Sequence, residues 1–245
     1  MSYALGVSSA QVLMRNEFTA DEAAKIERVL ARREAGEPLQ YILGEADFYG
    51  RDFRVGPGVL IPRRDTETLI AAAKKYFPQG QSFRFMDWGT GSGCIAVTLL
   101  LEFPEAYAYL AEKSPDARRF AEFNLTRYGL TNRAEFTDTW PECELTISNP
   151  PYIPSGEIAG LMRCVKDFEP HSALDGGNDG MDFYREIFSQ ANSECIILET
   201  GSIHQVQALK TLSDEFMCCD EIRDDGDFPR CLIFRRRNLC EKTHC

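Results

Sequence analysis

The stretch FRFMDWGTGSGCIAVTLLLEF, residues 83–103, decides how the rest of the chain is read. Its first six residues are largely aromatic and apolar, as a strand buried in a sheet requires. Its last ten, CIAVTLLLEF, are apolar enough for a helix packed into a core. Between them stand Gly89, Thr90, Gly91, Ser92 and Gly93, where the glycines permit a tight turn and a close approach of backbone to a ligand. The helix start behind that turn favours an anionic group, a phosphate or a carboxylate. A dinucleotide fingerprint, G-x-G-x-x-G, needs glycine at 94. That position is Cys94, and the third glycine comes one residue early, which turns the reading away from a nicotinamide cofactor.

The pattern repeats downstream. Strand-like AYAYLAEK (106–113) leads into SPDARRFAEFNLTRYG (114–129), where Ser114 is an N-cap, Pro115 sits at the first helical position and Gly129 closes the helix. AEFTDTW (134–140) and ECELTISN (142–149) read as two more strands. After a long insert come helix 182–191, strand 194–200, helix 202–213 and a closing pair of strands, 216–225 and 230–237. Such alternation implies an α/β fold with a doubly wound, mostly parallel sheet and an antiparallel edge. Glu112 ends the second strand, where this architecture places an acid against ribose hydroxyls. Asp138, with Trp140, ends the third, where an adenine would lie.

Upstream the composition changes. Residues 9–35 read as helical, with Thr19 and Glu22 forming a capping box, and Gly36 and Pro38 stop that helix. The expected organisation is an N-terminal helical domain (1–38), a β-hairpin connector (39–62) and a catalytic domain (63–245). The last of these opens on a helix capped by Asp65.

With 245 residues the chain has room for one large α/β domain and a small appendage. A formal net charge of −11 weighs against direct, non-specific binding of nucleic acid, which depends on clustered Lys and Arg. No run of 18 apolar residues marks a membrane span, and the N-terminus lacks a signal-peptide pattern, so a cytoplasmic protein is expected; a monomer is expected as well. Nine cysteines with no CxxC pair read as reduced thiols rather than a disulfide framework. The tail CEKTHC brings Cys240, His244 and Cys245 close in sequence, but three ligands without a second shell make a weak metal site; no metal is expected.

The remaining signal is Asn149-Pro150-Pro151-Tyr152, which emerges at the carboxyl edge of strand 142–149, beside the glycine turn. Asn149 and Pro150 both precede a proline and are held extended. Neither proline has an N–H to donate. What remains is a stiff run of acceptors, the Asn149 side-chain carbonyl and the Pro150 backbone carbonyl, with the flat face of Tyr152. Two acceptors can hold both hydrogens of a planar –NH2 group and aim its nitrogen along a fixed line. Placed on that line, the methyl group of S-adenosylmethionine is transferred by in-line displacement. The acceptors strengthen their bonds as the nitrogen becomes positive, which favours the transition state.

NPPYIP together with DWGTGSG resembles the class I methyltransferases that act on exocyclic or amide nitrogens. RREAGEPLQYILGEADFYG, LIPRRDTETL and EPHSALDGGNDGMDFYREI narrow the resemblance to the HemK-type glutamine methyltransferases of peptide chain release factors, from about residue 4 to residue 236. The resemblance implies a Rossmann-like, mostly parallel seven-stranded sheet with an antiparallel edge. It implies N5-methylation of the glutamine in the Gly-Gly-Gln motif of class 1 release factors. S-adenosyl-L-methionine would be the donor and S-adenosyl-L-homocysteine the product. By position, Asp87, Gly89, Thr90, Gly91, Ser92 and Gly93 would serve the methionine part of the cofactor and Glu112 its ribose. Asp138, Thr139 and Trp140 would border the adenine, and Asn149 would also contribute to cofactor binding. Asn149, Pro150, Pro151 and Tyr152 would bind the substrate amide, and Arg63, Thr66 and Glu67 would support the site.

The chain departs from the family pattern in places. Glu112 stands where Asp is usual, Trp88 where a smaller aliphatic is usual, Arg64 where a second proline is frequent and His171 where arginine is common. About two helices usually precede ALGVSS, so the N-terminal domain is expected to be truncated. Rival readings are a ribosomal-protein glutamine methyltransferase, a DNA amino-methyltransferase acting on a flipped base, and a non-catalytic module that keeps only the fold.

Overall fold

The computed structural model describes residues 2–15 and 17–237. The tail residues Cys240, His244 and Cys245 lie outside the described residues. Four short helices come first: α1 (Ser2–Leu5), α2 (Ser9–Leu13), α3 (Ala20–Glu34) and α4 (Leu39–Leu43). The helix expected over 9–35 is therefore two. Thr19 caps α3 in a reciprocal box with Glu22, and a cap at that place ends the preceding turn as firmly as it starts the next. Residues 39–43, expected as the start of the hairpin, form α4, which the left-handed Gly44 terminates. The hairpin is β1 (Glu45–Phe48) and β2 (Arg51–Arg54), turning on Tyr49 and Gly50, both at positive φ.

A linker, residues 55–63, then runs to a 3-10 turn (Arg64–Thr66) and α5 (Glu67–Tyr76). Asp65 sits inside that turn, and α5 has no side-chain cap, so the expected role of Asp65 is not observed. The alternating part follows: β3 (Arg84–Trp88), α6 (Cys94–Glu102), β4 (Tyr107–Ala111), α7 (Pro115–Arg127), β5 (Ala134–Phe136) and β6 (Cys143–Ser148). An insert carries α8 (Arg163–Lys166). Then come α9 (Asp182–Gln190), β7 (Ser193–Glu199), α10 (Ile203–Leu209), β8 (Phe216–Arg223) and β9 (Pro229–Arg236).

The seven long-range strands form one sheet in the order β5-β4-β3-β6-β7-β9-β8. The first five are parallel to one another; β9 is antiparallel to β7 and β8. The order reverses between β3 and β6, so the loops after those two strands face each other across the switch point. Alternation along each strand feeds two cores. Phe85, Ile197 and Ile233 point to the layer with α5 and α6, while Met86, Ile196 and Phe234 point to the layer with α9 and α10. A third cluster of Tyr41, Ala46, Val55, Val59, Ile61 and Ala117 joins α4, the hairpin and the linker to α7. The Tyr41 hydroxyl donates to the Val59 carbonyl at 2.5 Å, and burial holds its pKa up. Among the described residues no helix is long and apolar enough to cross a membrane.

Candidate active site

The loops after β3 and β6 open onto a cavity of about 330 Å³, within the range of small-molecule sites. Gly89, Gly91 and Gly93 all sit at positive φ, which lets the turn fold back on itself. A side chain at Gly89 would meet nothing within 4 Å, whereas one at Gly93 would press on Ala121 of α7 at 3.3 Å. Gly89 faces space, and Gly93 is needed for helix packing.

Asp87 does not line this cavity. It is fully buried beneath the turn, where Oδ2 accepts from the Thr90 hydroxyl at 2.6 Å and the Ala96 N–H at 3.1 Å. Burial pushes its pKa up to about 7, against the pull of those two donors. Asn124 of α7, also fully buried, ties the turn from the other side: its Nδ2 donates to the Ser92 carbonyl at 2.8 Å, and its Oδ1 accepts from Arg54 N–H at 2.8 Å. Nothing local in the sequence distinguishes Asn124 from an ordinary helix residue.

Glu112 lines the cavity and takes two backbone donors. Oε2 accepts from Gly91 N–H at 2.9 Å and Oε1 from Ser114 N–H at 2.8 Å. Its carboxylate thus clamps the glycine turn to the start of α7. Asp138 and Thr139 are exposed and Trp140 half-buried, and none of the three lines the cavity. Trp88 lines it instead, stacked on Trp140 at 6.2 Å between ring centres and tilted against Phe183 of α9 at 5.5 Å. Phe183 also lines the cavity, and only its place at the start of an amphipathic helix hinted at this.

Of the family segment around residue 65, Arg63 and Thr66 line the cavity. Glu67 turns away and accepts from Tyr49 N–H at 2.8 Å, fastening the hairpin. Arg63 pairs with buried Glu169, which also accepts from Ile61 N–H at 3.1 Å, so the linker is held against the insert.

Asn149 and Pro151 reach the cavity; Pro150 is buried and Tyr152 half-buried beside it. Asn149 Nδ2 donates to the Thr66 hydroxyl oxygen at 3.0 Å. That contact uses the amide N–H and leaves Oδ1 as the group's acceptor. The Tyr152 hydroxyl donates to Oε1 of Glu199, at the end of β7, at 3.3 Å. Glu199 is buried, and its pKa is raised to about 7 by burial, opposed by the Thr66 hydroxyl and the Arg230 guanidinium. In the sequence Glu199 is marked only as the end of a strand.

The insert explains why the segment 169–187 is rich in glycine. Ile153 N–H donates to the Leu174 carbonyl and Gly176 N–H to the Ile153 carbonyl, so the chain after Tyr152 is paired with residues 174–176. A Cβ at Gly176 would fall 2.8 Å from the Pro151 carbonyl oxygen, and one at Gly180 2.4 Å from the Tyr152 carbonyl oxygen. One at Gly201 would lie 2.5 Å from the Tyr152 ring. Gln205 completes the cradle, donating from Nε2 to the Tyr152 carbonyl at 2.7 Å and accepting from Gly201 N–H at 3.0 Å. Among the described residues no cluster of three or more His, Cys, Asp or Glu is arranged to hold a metal ion.

The strand order, with the glycine turn and the Asn-Pro-Pro-Tyr exit facing each other across the switch point, defines a Rossmann-like fold. A solved methyltransferase from Pyrococcus furiosus superposes with a TM-score of 0.54 at 17% identity, covering 87% of this chain and 98% of that one. The PrmC N-terminal domain profile matches residues 1–44. A release factor glutamine methyltransferase of Rhodospirillum rubrum is 39% identical over 249 residues, 96% of this chain and 76% of that one. Another, of Koribacter versatilis, is 42% identical over 180 residues, 71% of this chain and 64% of its relative's length. The chain belongs to the release factor glutamine methyltransferases, an enzyme family.

Proposed function

We propose that this chain transfers a methyl group from S-adenosyl-L-methionine to the side-chain amide nitrogen of a glutamine. The acceptor is the glutamine of the Gly-Gly-Gln motif in class 1 release factors, met in the cytoplasm. The observation that carries this reading is the Asn149–Thr66 contact: it fixes an acceptor carbonyl at the mouth of a cavity whose other wall is the glycine turn.

The residues present fit the cofactor. The open backbone at Gly89 and Gly91 would take its methionine part and Glu112, which lines the cavity, its ribose, with the Trp88 and Phe183 rings as a flat apolar wall. When bound, S-adenosylmethionine supplies a methyl group on a positively charged sulfur, open to attack from the opposite side. The protein's share is placement. Asn149 Oδ1 and the Pro150 carbonyl accept the two amide hydrogens, and pull electron density toward the nitrogen as it attacks. Pro150 and Pro151 stiffen the backbone that carries the Pro150 carbonyl, and the Thr66 contact restrains the Asn149 side chain. The nitrogen sheds a proton once methylated, so no base is needed before attack.

Peptide mapping of a release factor after incubation with the chain and S-adenosylmethionine tests this. One added methyl group on the Gly-Gly-Gln peptide is expected; an unmodified peptide with cofactor bound contradicts it.

A further inference from the structure

Resting on the reading of the cavity as a site for S-adenosylmethionine, we infer that Arg63, braced by the buried Glu169, receives the α-carboxylate of the cofactor's methionine part. A carboxylate leaves water only where a cation or several donors meet it. Two basic side chains line the cavity among the described residues, Arg63 and Lys113. Lys113 follows Glu112 directly. Its ammonium stands 5.7 Å from the centre of the Trp88 ring and 3.3 Å from Oε1 of Glu186. It therefore belongs to the end of the cavity proposed for ribose and adenine, with a carboxylate already beside it. Arg63 belongs to the Asn149 side. It shares a turn with Thr66, whose N–H donates to the Arg63 carbonyl at 3.2 Å and whose hydroxyl oxygen receives Asn149.

The arginine is held in place before any ligand arrives. Its Nη2 donates to Oε1 of Glu169, whose side chain is 1% exposed and does not line the cavity. The other Glu169 oxygen accepts from Ile61 N–H at 3.1 Å, so both oxygens are occupied. The linker is pinned a second time by the Tyr41 hydroxyl on the Val59 carbonyl. With backbone and side chain both fixed, most of the entropy of ordering a long arginine is spent on folding and not on binding. The Arg63 side chain is still 35% exposed, and Glu169 engages only Nη2 of a planar group with five N–H donors. The pair is close to neutral as a whole, yet the part of it that meets the cavity is the donor edge. That edge fits a second carboxylate, by charge and by shape.

The test compares two probes that differ only in the carboxylate: S-adenosylhomocysteine and decarboxylated S-adenosylhomocysteine. Each is titrated calorimetrically into the full chain, with a melting curve for every variant. Wild type is expected to bind the first about ten- to a hundredfold more tightly than the second. Arg63→Gln should weaken S-adenosylhomocysteine by about that factor and leave the decarboxylated probe within about twofold. The single variant leaves Glu169 buried without its cation, so Arg63→Gln/Glu169→Gln is measured beside it. Gln at 169 still accepts from Ile61 N–H, and the double variant should show the same collapse of preference. An equal loss for both probes would make Arg63 a prop of the fold. A preference for the carboxylate that survives in the double variant, or is absent from wild type, would remove Arg63 from cofactor binding. Each of these results overturns the inference. Binding of neither probe by the wild-type chain would instead overturn the proposed function beneath it, so the two failures are told apart.

Discussion

Asn149 and Thr66, 83 positions apart in the chain, meet through a 3.0 Å hydrogen bond from the Asn amide to the Thr hydroxyl. One comes from the exit of β6 and the other from the turn before α5. Their contact converts a freely rotating amide into a directed acceptor.

Asn149→Ala removes that acceptor and leaves the glycine turn untouched. Methyl transfer should fall by about a hundredfold or more, the scale of losing one directed transition-state hydrogen bond. Cofactor affinity, read by calorimetric titration, should stay close to wild type. Unchanged turnover would remove Asn149 from the reaction.

Glu112→Ala should act on the other half of the site. It removes the proposed ribose acceptor and frees two backbone donors, Gly91 N–H and Ser114 N–H. Hydrogen bonds to a charged group contribute roughly 1.5–3 kcal/mol each, so cofactor Kd should rise by about ten- to a hundredfold. Equal Kd for the variant and the parent would deny Glu112 this role.

Gly201→Ala tests the cradle under Tyr152. A methyl group there would overlap the ring at 2.5 Å, so Tyr152 or the strand end must shift. Overpacking of this kind costs about 1–3 kcal/mol of stability. Turnover should drop more than cofactor affinity does. A variant with parental melting temperature and kcat would show the cradle to be loose.

Asp87 gives the fold a pH dependence with a definite sign. Its pKa is raised by burial to about 7 from an ordinary 3.8. Between those values the folded state holds a proton that the unfolded state has lost. This contribution to stability is present at low pH and is lost as pH rises toward 7. Asp87→Asn keeps an acceptor for Thr90 and Ala96 but cannot ionise. The melting temperature of the variant relative to wild type should therefore climb from pH 4.5 to pH 7 and level off above. A difference that stays flat across that range would contradict the buried, protonated carboxyl.

The alternation that reveals the sheet is legible because parallel strands are buried on both faces and leave continuous apolar runs, as in β3 and β7. The turn at 89–93 is legible because its glycines serve a local backbone need. Glu112 was readable from its place after β4, since the fold puts an acid there. The supports of the site were not readable in this way. Asn124, Glu169 and Glu199 act across 32 to 108 positions of sequence, through bonds no local pattern encodes. Gly176, Gly180 and Gly201 are glycine because the Pro151–Tyr152 backbone and ring press on them, a steric reason visible only in three dimensions. The break between α2 and α3 is marked in the sequence only by the Thr19 cap, which ends the turn before it as well as starting α3.

The most direct measurement is transfer of labelled methyl from S-adenosylmethionine to a purified release factor, beside the same factor with Gln→Glu in its Gly-Gly-Gln loop. Label on the first and none on the second is expected, because the proposed acceptors hold an –NH2 group that glutamate lacks. Equal label on both, or none on either while the cofactor binds, would contradict glutamine N-methylation at Asn149.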